Sequence, residues 1–142
     1  MNLEQLYQEK ILAFARLARQ STPLENATFS ATVKNPTCGD RVRVDFDLDP
    51  DNRIANVAVV ADGCALCEAA SGLLLTTAPG RNAADLAALR QDIETWLKGQ
   101  ADETSLDGQD AFTPVKAFAS RHGCVSLPFE AAAQALADTP SD

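Results

Sequence analysis

The hydrophobic period of this chain changes at Gly63, and that change limits its folds more than any other feature. From 41 to 48, Val42, Val44, Phe46 and Leu48 alternate with Arg41, Arg43, Asp45 and Asp47. A period of two predicts a strand with one buried face and one wet face. Residues 27–34 carry β-branched side chains and end before Pro36, which predicts an earlier strand. Asp49-Pro50-Asp51-Asn52 reads as a turn, and 54–61 as a third strand. Three strands joined by short turns imply an antiparallel meander.

After Gly63 the pattern is helical. Residues 64–77 form an Ala-rich segment stopped by Pro79-Gly80. Asn82 then caps a helix with Leu86, Leu89, Ile93, Trp96 and Leu97 on one face. Helical spacing also joins Leu3, Leu6, Tyr7, Ile11, Phe14, Ala15 and Ala18, ending at Ser21-Thr22-Pro23. Residues 99–110 are polar and read as a loop. Thr113-Pro114 reads as an N-cap followed by proline at the first helical position, with Phe112, Val115 and Phe118 pointing inward. A last helix is expected over 125–137, with a frayed tail over 138–142. The expected fold class is α+β: a three-stranded antiparallel sheet packed against about five helices, in one domain spanning 1–142.

The formal net charge of −8 argues against nucleic acid and anionic membranes as partners, since both attract basic surfaces. No run of residues is long and apolar enough to span a bilayer, and the N-terminus lacks the apolar core of a secretory signal. Cytoplasm is the expected location, where four cysteines suggest metal or thiol chemistry more than disulfides.

Three of those cysteines fall at predicted element ends. Cys38 lies in the first β-turn beside Gly39, Cys64 opens a helix after the third strand, and Cys124 opens the last helix. Helix N-termini favour thiolate, the form that binds zinc or iron. Asp40, two residues from Cys38, is close enough to share one centre. Three soft sulfurs with one harder oxygen depart from the all-Cys/His sets of closed structural zinc sites, and imply a more labile hold on metal or cluster. The bland alternative is that these are buried, inert cysteines, a common fate for the residue.

Asn35-Pro36-Thr37-Cys38-Gly39-Asp40-Arg41, Asp62-Gly63-Cys64-Ala65 and Arg121-His122-Gly123-Cys124 together resemble the three signature segments of the U-type iron–sulfur scaffold family: IscU, SufU and the N-terminal part of NifU. The resemblance runs over almost the whole chain, in the right order. It implies the same α+β fold, and Cys38, Asp40, Cys64 and Cys124 as ligands of an iron–sulfur cluster (2Fe–2S) or of zinc. Its implied partners are a cysteine desulfurase and apo iron–sulfur proteins. The SufU branch fits better than the IscU branch: the polar segment 99–110 looks like its insertion, and Arg121 stands in its place before Cys124. By that resemblance Arg121 could pair with Asp40 when the carboxylate leaves the metal; otherwise it could merely solvate a helix C-terminus. His122 stands one position too early to match the IscU ligand, and could equally face solvent or bond locally. The same branch points to Cys38 as the sulfur acceptor.

Cys67 departs from the family, which usually has a small residue there. It is three residues from Cys64, on the same helix face, and reads either as a core residue or as a thiol able to form a disulfide with Cys64. Four functions compete: cluster scaffold, zinc-bound sulfur acceptor, thiol–disulfide oxidoreductase using Cys64 and Cys67, and structural zinc module. The first two need the same ligands. The third lacks a thioredoxin-like βαβ context, and the fourth sits poorly with an aspartate ligand.

Overall fold

The structure, a computed structural model, describes residues 3–36 and 39–137. The chain opens with helix α1 (Leu3–Gln20) and passes into strands β1 (Phe29–Lys34), β2 (Arg41–Leu48) and β3 (Ile54–Asp62). Helices α2 (Ala65–Thr77) and α3 (Ala83–Leu97) follow, and α4 (His122–Ala135) closes the fold. The strands pair antiparallel in the order β1-β2-β3, as the alternation predicts. Val42, Val44, Phe46 and Val59 are buried beneath helices α2 and α4.

Register decides where the site lies. Lys34 pairs with Arg41 and Arg41 with Asp62, so the β1–β2 connection and the start of α2 emerge side by side at one end of the sheet. The connection is drawn closed by hydrogen bonds from Asn35 N–H to Asp40 C=O (2.7 Å) and from Gly39 N–H to Asn35 C=O (2.8 Å). Gly39 has φ +79°, the left-handed region that glycine enters without a Cβ penalty.

Packing of α1 on α2 depends on Gly72. A Cβ built there would stand 2.0 Å from the carbonyl oxygen of Phe14, so the two helices touch backbone to side-chain position. Arg19 of α1 adds a two-pronged pair to Glu68 in the first turn of α2, at 2.9 and 3.0 Å. The predicted cap of α3 forms as a reciprocal box. Asn82 Oδ1 accepts from Asp85 N–H at 2.9 Å, and Asp85 Oδ2 accepts from Asn82 N–H at 3.1 Å.

Four expectations need correction. Asp45 is not on a wet face: its residue is 1% exposed, because residues 21–27 cross that side of the sheet and Leu24 N–H donates to it at 3.2 Å. The helix expected to begin at Thr113-Pro114 is a 3₁₀ segment, Gln109–Ala117, which Gly108 (φ +92°) enters and in which Pro114 is internal. Phe112 and Val115 are buried as expected, but Phe118 is 61% exposed, since the chain leaves the 3₁₀ segment at that residue. The last helix begins at His122, earlier than 125. Residues 138–142 lie outside the described residues.

Candidate metal centre

Asp40, Cys64 and Cys124 come from three separate elements and bring one ligand atom each to within 4.8 Å of one another. Asp40 ends the β1–β2 connection, Cys64 is the N-cap of α2, and Cys124 lies in the first turn of α4. Cys64 makes no side-chain bond to its own helix. It turns to Asp40 instead: its N–H donates to Oδ1 at 3.3 Å and its Sγ–H to Oδ2 at 3.6 Å. A carboxylate at the N-terminus of α2 is also favoured by the helix dipole.

Gly63 makes this arrangement possible. A Cβ on Gly63 would stand 2.5 Å from Asp40 Oδ1, well inside van der Waals contact. Gly123 serves α4 in the same way: a Cβ there would stand 2.8 Å from Asn35 Nδ2. Asn35 therefore seats the first turn of α4 against the β1–β2 connection. Asn35 and the two glycines carry no ligand chemistry, and in the sequence they stand out only as members of the signature segments around the candidate ligands.

Asp40 and Cys124 are buried and Cys64 is half-buried, so the cluster opens to solvent along one side. Cys38 lies outside the described residues. Arg121 is exposed at the N-cap of α4, and among the described residues it forms no ion pair with Asp40. His122 has a local partner: its Nε2 lies 3.1 Å from the Lys116 carbonyl oxygen, tying α4 to the 3₁₀ segment. Cys67 is fully buried in the apolar core. Among the described residues, the cysteines Cys64, Cys67 and Cys124 are all free of disulfides.

The donor set suits a thiophilic metal. Tetrahedral zinc with sulfur at about 2.3 Å and oxygen at about 2.0–2.2 Å sets neighbouring donors roughly 3.5–3.8 Å apart. The separation of 3.6 Å between Cys64 Sγ and Asp40 Oδ2 already matches. With all three donors within 4.8 Å, side-chain adjustment alone can complete that side of a coordination shell.

The sequence model described as "NifU-like N terminal domain" matches residues 6–125. The chain belongs to this U-type iron–sulfur assembly family. The zinc-dependent sulfurtransferase SufU of Bacillus subtilis is 25% identical over 138 residues, covering 96% of this chain and 92% of its own length. The iron–sulfur cluster assembly scaffold protein IscU of Thermotoga maritima is 24% identical over 137 residues, covering 96% of both chains. The crystal structure of a nitrogen-fixing NifU-like protein (N-terminal) from Brucella abortus superimposes with a TM-score of 0.83 at 28% identity, over 95% of this chain and 94% of that one. The family fold, a three-stranded antiparallel sheet against helices, is the one seen here. Among the described residues, no helix is long and apolar enough to cross a membrane.

Proposed function

We propose that this NifU-family chain acts as a single domain that accepts sulfur from a cysteine desulfurase, holds a nascent iron–sulfur cluster or a metal ion, and passes the cluster to apo-proteins. The observation that carries the proposal is the convergence of Asp40, Cys64 and Cys124 from three separate elements. Cys38, two residues before Asp40 in sequence, supplies the fourth ligand. A zinc ion on these donors would keep the thiols ionised and the site in shape when sulfur arrives.

In the sulfur-transfer step, the Cys38 thiolate attacks the outer sulfur of the desulfurase persulfide. A new S–S bond forms on Cys38, the persulfide bond breaks, and the desulfurase cysteine leaves as thiolate. In this reading Cys38 is the acceptor, since its place beside Gly39 in the sequence predicts a turn, whereas Cys64 is half-buried against Asp40 and Cys124 is buried in α4. In this reading Arg121, exposed three residues before Cys124, receives Asp40 once that carboxylate leaves the metal. Asp40, an oxygen among sulfurs, makes the hold on a cluster labile enough for delivery.

A second reading, a zinc-dependent sulfur acceptor without scaffold work, is favoured by the name of the Bacillus relative. Metal analysis and absorption spectra of anaerobically purified protein separate the two. Brown protein with sulfide-to-iron charge transfer supports the scaffold, and colourless protein with one zinc per chain supports the acceptor. In either case Cys38→Ser, Cys64→Ser and Cys124→Ser should each weaken metal binding sharply. Two of the three retaining wild-type affinity would defeat the shared site.

A further inference from the structure

Cys67 takes no part in the three-donor cluster. It lies in the first turn of α2, three residues after the N-cap Cys64. Residues so spaced on a helix lie on one face with Cβ atoms about 5–6 Å apart. A disulfide asks for Cβ atoms about 3.5–4.5 Å apart, with Cα separations of about 4.4–6.8 Å. A small adjustment of the first turn therefore closes the gap. Cys64 is suited to that movement. As N-cap it is extended (φ −73°, ψ 170°), and its side chain is not bonded to the helix.

The two thiols differ in the way a working Cys-x-x-Cys pair requires. Cys64 is half-buried, with its Sγ turned to Asp40 at the open cluster. Cys67 is 0% exposed, inside the apolar core against which Cys64 packs. A sulfur atom added to Cys64 Sγ, which faces Asp40, would extend toward the cluster, while Cys67 lies in the core against which Cys64 packs. Attack by Cys67 from the core side would expel the added sulfur outward, since displacement at sulfur runs in line.

We propose that Cys67 is a resolving thiol, which releases sulfur carried as persulfide on Cys64 in the form of sulfide and leaves a Cys64–Cys67 disulfide. The proposal rests on the sulfur-acceptor reading, with Cys64 receiving persulfide sulfur directly or from Cys38. In the step, a bond forms between Cys67 Sγ and Cys64 Sγ, and the bond from Cys64 Sγ to the outer sulfur breaks. The Cys67 proton passes to the departing sulfur, which leaves as hydrosulfide. The outer sulfur gains two electrons and the cysteine pair loses two. Cluster assembly needs sulfide, whereas a persulfide delivers sulfur in a more oxidised form; the pair supplies the difference. One turnover needs no outside reductant. A cellular dithiol, through thiol–disulfide exchange, would return the pair to thiols.

The test uses the full chain, anaerobic and as purified. It is treated with a limiting amount of glutathione persulfide and freed of small molecules. Sulfide is then followed colorimetrically and cysteine states by peptide mass spectrometry. About one sulfide should appear per chain persulfidated at Cys64, in step with a Cys64–Cys67 disulfide. Cys67→Ala and Cys67→Ser should keep the persulfide on Cys64, with sulfide release slowed at least roughly tenfold. Release at the wild-type rate in these variants would overturn the proposal. So would a wild-type Cys67 that is still open to alkylation in unfolded protein after sulfide has left. Persulfide on Cys38 but never on Cys64 would end this inference and leave the acceptor reading intact. Persulfide on neither cysteine would end both.

Discussion

Replacing Gly63 with alanine should damage the metal centre without touching a ligand. The new Cβ would stand 2.5 Å from Asp40 Oδ1, 2.6 Å from its Cγ and 2.9 Å from its Cβ. Carbon atoms in contact rest at about 3.5–4.0 Å, so Asp40 must retreat by roughly 1 Å. Rotation about χ1 can clear Oδ1 and Cγ, but it cannot move the Asp40 Cβ. The backbone of the β1–β2 connection must therefore shift, against the 2.7 Å bond between Asn35 N–H and Asp40 C=O. Overpacking of this kind typically costs about 1–3 kcal/mol. If that strain falls on the metal-bound geometry, zinc affinity drops by about 5–140-fold, at 1.4 kcal/mol per factor of ten. Competition with a chromophoric chelator measures the affinity, and urea unfolding of the metal-free protein measures the stability. Asp40→Ala removes two of the three close contacts, so adding Gly63→Ala in that background should destabilise less than it does in the wild type. Wild-type zinc affinity in Gly63→Ala, or an equal stability loss in both backgrounds, would refute the reasoning.

Gly72→Ala should destabilise by more than about 2 kcal/mol in urea unfolding, even though alanine improves helix propensity by about 1 kcal/mol, because its Cβ meets the Phe14 backbone at 2.0 Å; a more stable variant would mean that α1 does not sit on α2 as described. Asp45 gives the fold an acid-sensitive element. Burial pushes its pKa up, but hydrogen bonds from Ser30, Arg43 and the Leu24 backbone outweigh that and hold it below the ordinary carboxylate value. Its contribution is therefore complete above the unfolded pKa of about 3.9 and is lost as pH falls through the lower folded value. Stability measured from pH 6 down to pH 2 should fall less steeply for Asp45→Asn than for wild type, and parallel curves would contradict this. His122→Ala should cost about 1 kcal/mol of stability through the lost contact with Lys116 C=O, with little change in zinc affinity; a tenfold weaker zinc site would make His122 part of the centre.

Local pattern alone located the three strands, α1, α2 and α3, because side-chain alternation, helical spacing and the Asn82 cap act over a few residues. Asp40, Cys64 and Cys124 were also legible as candidates, since cysteines at element ends and a neighbouring carboxylate are visible without a fold. What local pattern could not contain was distance. Cys64 and Cys124 are far apart in the chain, and only the docking of α4 on β1, β2 and α2 places both against Asp40. The same limit explains the misread positions. The alternation in β2 assigns Asp45 to solvent, but residues 21–27 return across the sheet, and Leu24 N–H together with Ser30 of β1 and Arg43 of β2 makes burial of its charge tolerable. Phe118 satisfies an apolar pattern, yet the chain turns at the end of the 3₁₀ segment and leaves it 61% exposed. Glycine shows the contrast most directly. In sequence Gly63, Gly72 and Gly123 look like flexible punctuation, whereas in the fold each is a place where another part of the chain occupies the space of a Cβ. The sequence determined which elements could form and which residues could hold metal; close packing between distant segments decided which of them meet.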